Sequence, residues 1–175
     1  MKRNSQSGVG LIEVMMAAII LVIAALTSMI LVSMSIANNS RNKTDSTQTM
    51  LVNSIVEQVT STIIGSGTSS LTDCDGKTWT INTAPGGATV ADSKINFSQA
   101  SPPADYFMNY SVKTPCASDG EFQAVYDVRW NVQIVGAPLT PTNTFLITVG
   151  AQKQGLQRGK MLFPPAVNVR LLAGN

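Results

Sequence analysis

The chain has 175 residues, of which 44% are hydrophobic, 13% charged and 6% aromatic, which leaves room for one ordinary domain and an accessory element. A net charge of +2, with no Lys/Arg cluster denser than Lys2-Arg3, argues against a nucleic-acid footprint, so no nucleic-acid partner is expected. Histidine is absent, which removes the commonest general base and zinc ligand; the chain is expected not to be an enzyme, with no catalytic residue, metal or cofactor.

The charged fraction is about half the ~25% of an ordinary soluble domain, and the deficit lies near the N-terminus. No charged residue occurs from Val14 to Ser40, and Val14 to Leu26 is unbroken apolar sequence that resumes after Thr27-Ser28 as Met29-Ile-Leu-Val32. Val14 to Ile36 amounts to about 23 residues, or roughly 34 Å of helix, against a hydrocarbon core of ~30 Å. Lys2 and Arg3 precede this run and predict a cytoplasmic N-terminus, with the remainder outside. The run is too long for the h-region of a secretory signal peptide, ~7–15 residues. Glu13 stands directly against it, where a carboxylate costs a few kcal/mol. A plain anchor has no use for that residue. It calls for a cationic partner, and the adjacent sequence supplies none.

Gly8-Val-Gly-Leu-Ile-Glu13-Val14, after a short leader and before a long apolar helix, resembles the processing site of the type IV pilin superfamily. The resemblance covers about the first 40 residues and, beyond them, only the general layout. It implies a leader, residues 1–8, removed by a prepilin peptidase after Gly8. The new terminus, Val9, would then be N-methylated. It also implies that Glu13 faces the terminal ammonium of a neighbouring subunit in the filament core. Val9 stands where phenylalanine is commoner and Gly10 where threonine is frequent. The run has no glycine or proline from Val14 to Ala37, whereas many major pilins carry helix breakers there. In this the chain is similar to PilV-type minor pilins, or to minor pseudopilins of type II secretion.

The implied fold is α+β and pilin-like: a hydrophobic transmembrane or filament-core helix over residues 9–40, an amphipathic continuation over 41–65, and a β-rich head over 66–175 built on an antiparallel sheet. Leu51, Ile55, Val59 and Ile63 recur every four residues, joined by Val52 and Val56, while Gln48, Glu57 and Gln58 occupy other faces. Gly65, followed by Ser66-Gly67, is expected to end this helix. Strands are predicted at Thr78–Ile81, Phe107–Val112, Phe122–Val135 and Thr144–Val149, the last two forming a hairpin across a Gly136–Asn143 loop in a sheet of three to five strands. Val128, Trp130, Val132 and Ile134 alternate with Arg129, Asn131 and Gln133, the period of a half-buried strand. Tyr106, Phe107, Tyr110, Tyr126 and Trp130 are assigned to the core of the sheet.

Cys74 and Cys116 would face an oxidising compartment and most simply pair; two separate buried thiols are the alternative. Asp73-Cys-Asp75-Gly76 lacks the spaced acidic ligands of a calcium loop and reads as a turn. The primary expectation is a minor pilin that supports assembly priming, adhesion or twitching motility. Its partners would be the prepilin peptidase, other major and minor pilins, the inner-membrane assembly platform and, before assembly, membrane lipid. It would sit in the bacterial inner membrane with the head periplasmic, then in the surface pilus. The rivals are a minor pseudopilin, an unprocessed bitopic receptor or binding module and, third, an anchored enzyme with no nameable site.

Overall fold

The computed structural model describes residues 10–62, 64–136, 144–155 and 165–174. The chain divides into two compact units at Asn42/Lys43. One helix, α1 (Leu11–Thr60), supplies all the regular structure described in the first unit and continues into the second. The absence of helix breakers from Val14 to Ala37 accounts for its continuity. The leader residues Lys2, Arg3, Gly8 and Val9 lie outside the described residues, as do Ile63 and residues 137–143 of the expected hairpin loop.

The second unit contains β1 (Thr68–Thr72), β2 (Thr78–Asn82), β3 (Gly86–Gly87), β4 (Val90–Ala91), β5 (Lys94–Ile95), β6 (Phe107–Thr114), β7 (Glu121–Ile134), β8 (Thr144–Gln154) and β9 (Val167–Gly174). Every pairing is antiparallel. The main sheet has β7 at its centre, with β8 and then β9 on one side and both β6 and β3 on the other. The expected β7–β8 hairpin is present, in register from Val125↔Gln154 to Ile134↔Phe145. The architecture is therefore α+β: a long N-terminal helix whose later turns pack on an antiparallel sheet.

The stripe on α1 is the reason for that packing. Leu51, Val52, Ile55 and Val59 are all buried, against a sheet face that includes Met108, Val128, Trp130, Val132, Ile147 and Val149. Trp130 is enclosed completely and spends its indole N–H on the Asn82 carbonyl at 2.9 Å, so its burial leaves no donor unpaired. Tyr126 is buried against the helix near Thr44 and Thr47, and loss of water pushes its phenol pKa up.

Three sequence expectations are corrected. Gln48 belongs to the packed face: it is fully buried, and its amide donates to the Pro165 carbonyl at 3.1 Å and accepts from the Lys153 N–H at 3.1 Å. Pairing between β8 and β9 ends at Ala151↔Val167. Gln48 therefore serves, just past that point, as the hydrogen-bonding partner that a longer β9 would have been. The helix also ends at Thr60 rather than at Gly65. Hydroxyls of Thr60, Ser61 and Thr62 accept the role of cap by donating to the carbonyls of Val56 (2.8 Å), Gln58 (3.0 Å) and Val59 (3.2 Å), which competes with further helical turns. Gly65 instead forms a turn at φ +97°, where a Cβ would lie 2.8 Å from the Phe145 ring.

The third correction concerns β7. Arg129 and Asn131 are buried rather than solvated, whereas Ile134 is exposed. The second face of the sheet is covered locally by the β4–β5 hairpin and the segment after it. Ile95 packs on Gly150, the Arg129 guanidinium donates to the Gln99 carbonyl at 2.8 Å, and Asn131 donates to the Ala88 carbonyl at 2.9 Å. Arg129 is also held by Asp127 through Nε (2.9 Å) and Nη2 (2.7 Å), so the buried charge is paired.

Ile55→Ala is expected to cost about 2–5 kcal/mol because it opens a cavity in the helix–sheet seam. Gln48→Ala is expected to cost about 1–3 kcal/mol through a buried N–H and C=O left without partners. Urea unfolding of the full chain in neutral detergent, followed by tryptophan fluorescence, measures both; no shift in midpoint for either would contradict these assignments.

Candidate functional site

Among the described residues of the first unit none is buried. From Leu11 to Ile36 every Leu, Ile, Val and Met is exposed, on all sides of the helix. Burying one such side chain fully is worth about 1.5–3 kcal/mol, so leaving the whole run in water would outweigh the ~5–15 kcal/mol that stabilises a typical domain. The hydroxyls of Thr27, Ser28 and Ser33 do not relieve this, because they are satisfied within the helix. Thr27 donates to Ala24 O at 2.9 Å, Ser28 to Ala24 O at 2.8 Å and Ser33 to Met29 O at 2.9 Å. What remains outward is almost entirely hydrocarbon. The helix is long and apolar enough to cross a membrane.

Glu13 is the exception. It lies in the first turn of α1, where the Gly10 carbonyl accepts the N–H groups of Glu13 (2.9 Å) and Val14 (3.3 Å). A carboxylate there interacts favourably with the positive end of the helix dipole, worth about 0.3–1 kcal/mol near a surface. That is small beside the cost of placing the charge in an apolar medium. Among the described residues no salt bridge is made to Glu13. After it the next charged residue in the sequence is Arg41, so any close cation must come from residues ahead of it or from another molecule.

The other predicted group is a disulfide. Cys74 and Cys116 are bonded, with Cα atoms 4.7 Å apart across a sequence separation of 42. Cys74 sits in the β1–β2 turn and Cys116 in the β6–β7 connection. The bond thereby ties the hairpin, which forms a separate two-stranded sheet, to the main sheet. Two further contacts reinforce it. The Cys74 N–H donates to Ser111 O at 3.3 Å, and Lys113 Nζ lies 2.6 Å from Asp75 Oδ1. The hydrogen bond from Lys113, aided by Ser111, holds the Asp75 carboxyl below the usual carboxylate range.

Asp73 closes the turn itself. Its carboxylate accepts from the N–H groups of Asp75 (3.0 Å) and Lys77 (2.9 Å) and from the Trp79 indole (3.0 Å). With its lone pairs committed to this network, the segment is the Asx-type turn that Asp-Cys-Asp-Gly suggested. Sequence reasoning missed the Asp75–Lys113 pair. Nothing local in the sequence signals it, because its partners lie far apart in the chain and meet only where the β1–β2 turn sits against the end of β6.

No family model, curated protein or solved structure matches the chain. The features that bear on function are therefore the exposed apolar helix with Glu13 at its border, and a separately folded, disulfide-bonded head.

Replacing both cysteines by serine is expected to cost roughly 3–4 kcal/mol in the chain-entropy model. Alkylation of the native protein without reductant should leave its mass unchanged, and two added alkyl groups would contradict the bond. Because the folded Asp75 pKa is depressed, its contribution to stability is present above the unfolded pKa and lost as pH falls through the folded value. Asp75→Asn should remove that part of the acid sensitivity, which melting temperature against pH would reveal.

Proposed function

We propose that the chain is a structural subunit of a type IV pilus, of the minor pilin kind, cleaved after Gly8 by a prepilin peptidase and assembled through α1. What supports this reading is one juxtaposition: a carboxylate in the first turn of a helix whose next 27 residues carry no charge and whose apolar side chains are exposed all round. A membrane covers such a helix before assembly, and a bundle of like helices covers it afterwards. In either setting Glu13 is costly until a cation reaches it. Cleavage after Gly8 generates one, the amine of Val9.

In a bundle of parallel helices the amine of one subunit and the Glu13 of its neighbour meet only at a particular axial offset. At 4 Å and an effective dielectric of ~20 the pair gains about 4 kcal/mol, part of which is returned in desolvation. The pair's main effect is on register. Methyl and methylene groups discriminate weakly between offsets, whereas a slipped helix leaves a buried charge unpaired, much as a buried polar residue fixes coiled-coil register. The orientation follows from Lys2 and Arg3 on the cytoplasmic side, which places the head in the periplasm and later on the filament surface. There its work is assembly priming, adhesion or support of motility.

Co-expression with a prepilin peptidase should give an intact mass lacking residues 1–8, with a methylated Val9. Gly8→Glu should leave the full mass, and an intact Met1 terminus in the presence of active peptidase would favour an unprocessed receptor. Glu13→Ala should still be cleaved but enter filaments at a markedly reduced level. Incorporation equal to that of the parent would remove the proposed role.

A further inference from the structure

The second unit has a defined end at which the chain enters it, and that end exposes an aromatic side chain. Lys43, the first residue of the unit, donates from Nζ to Gln123 Oε1 at 3.0 Å. Phe122, the adjacent residue on β7, is 60% exposed. The head's other exposed large apolar residues include Ile134, Val135 and Leu172; Phe122 and Ile134 lie near opposite ends of β7, and Leu172 pairs with Leu146, across from Gln133. These three therefore belong to the opposite end of the sheet.

Ile36, the last large apolar residue of the uncharged run, precedes Lys43 by seven residue steps, a reach of at most ~25 Å. The residues between, Ala37-Asn-Asn-Ser-Arg41-Asn42, carry amides, a hydroxyl and a guanidinium, groups suited to a lipid headgroup layer.

We infer that Phe122 is an interfacial membrane contact, set into the boundary between headgroups and acyl chains of the bilayer that α1 crosses before assembly. The inference rests on the reading of α1 as a membrane span. An aromatic ring gains at this boundary because its apolar body leaves water without entering the core of the bilayer. The charges around it argue for an apolar contact over recognition of anionic lipid. Lys43 is engaged with Gln123, and Lys113 with Asp75 and the Ser118 carbonyl, while Asp119 and Glu121 on the same connection are exposed. The contact should therefore be insensitive to salt. It would hold the end of the head against the membrane until the subunit is withdrawn into a filament.

Phe122→Trp tests this in the full chain, reconstituted into phosphatidylcholine vesicles brominated along the acyl chain, with the parent chain supplying the background from Trp79 and Trp130. A second variant, Ile36→Trp, reports the span. Both added tryptophans should be quenched, that at position 122 to at least about half the extent of that at 36, as suits a residue at the interface. Quenching at 36 without quenching at 122 overturns the inference alone; no quenching at 36 overturns the span and the inference with it. Benzoylphenylalanine at position 122 provides an independent check. Irradiation should give lipid adducts by mass, and cross-links only between protein chains would overturn the contact.

Discussion

An apolar helix exposed on every side cannot remain in water, and the rest of the molecule is organised around that constraint. The run from Leu11 to Ile36 leaves no large apolar side chain covered by its own chain. The hydroxyls of Thr27, Ser28 and Ser33 bond to their own helix, which leaves the surface of the run almost uniformly apolar. Cover must come from lipid or from other helices, and either medium penalises the single carboxylate at the border. On the proposed reading, Glu13 is thus the point where a featureless surface acquires specificity.

The same helix solves a different problem in the head. Beyond Lys43, Leu51, Val52, Ile55 and Val59 share one side of it with Thr44 and Gln48, so it can close the inner face of a sheet whose centre is β7 and β8. Small polar devices finish the fit. Gln48 satisfies backbone groups just past the end of β8–β9 pairing, three hydroxyls end the helix, and the Asn82 carbonyl receives the buried indole of Trp130. The β1–β2 hairpin contributes part of the core through Ile81. It is joined to the main sheet by the Cys74–Cys116 bond and the Asp75–Lys113 pair. A domain of this size gains rigidity from such a bond without needing a larger core.

Much of this was legible in the sequence wherever a residue pattern was strong and repeated. The helix stripe at Leu51, Ile55 and Val59, the β7–β8 hairpin and the pairing of the two cysteines all followed from periodicity or from residue type and compartment. What the sequence hid depended on contacts between distant segments. β1 (Thr-Ser-Ser-Leu-Thr) is too polar to read as a strand, and β9, with Val-Asn-Val-Arg-Leu-Leu, mixes its periods. Arg129 and Asn131 looked like a solvated face because nothing in β7 reveals that the β4–β5 hairpin covers it. Gln48 read as polar surface for the same reason, since its buried partners are the backbone of Lys153 and Pro165. At the candidate site, Glu13 was legible because one charge beside 27 uncharged residues is conspicuous. A partner for it was not legible from the adjacent residues, because on the proposed reading the cation comes from another copy and would leave no mark near Glu13 in the chain.

The central claim is that Glu13 pairs with the processed terminus of a neighbouring subunit and so sets the register of assembly. The most direct measurement is solid-state NMR on filaments grown from two populations of processed chain. One carries nitrogen-15 only at the Val9 amine and the other carbon-13 only at the Glu13 carboxylate, so that any dipolar coupling arises between copies. A coupling corresponding to a contact of about 4 Å, the separation at which the ion pair is worth having, is the predicted result. Its absence in well-ordered filaments of this mixed composition would contradict the account.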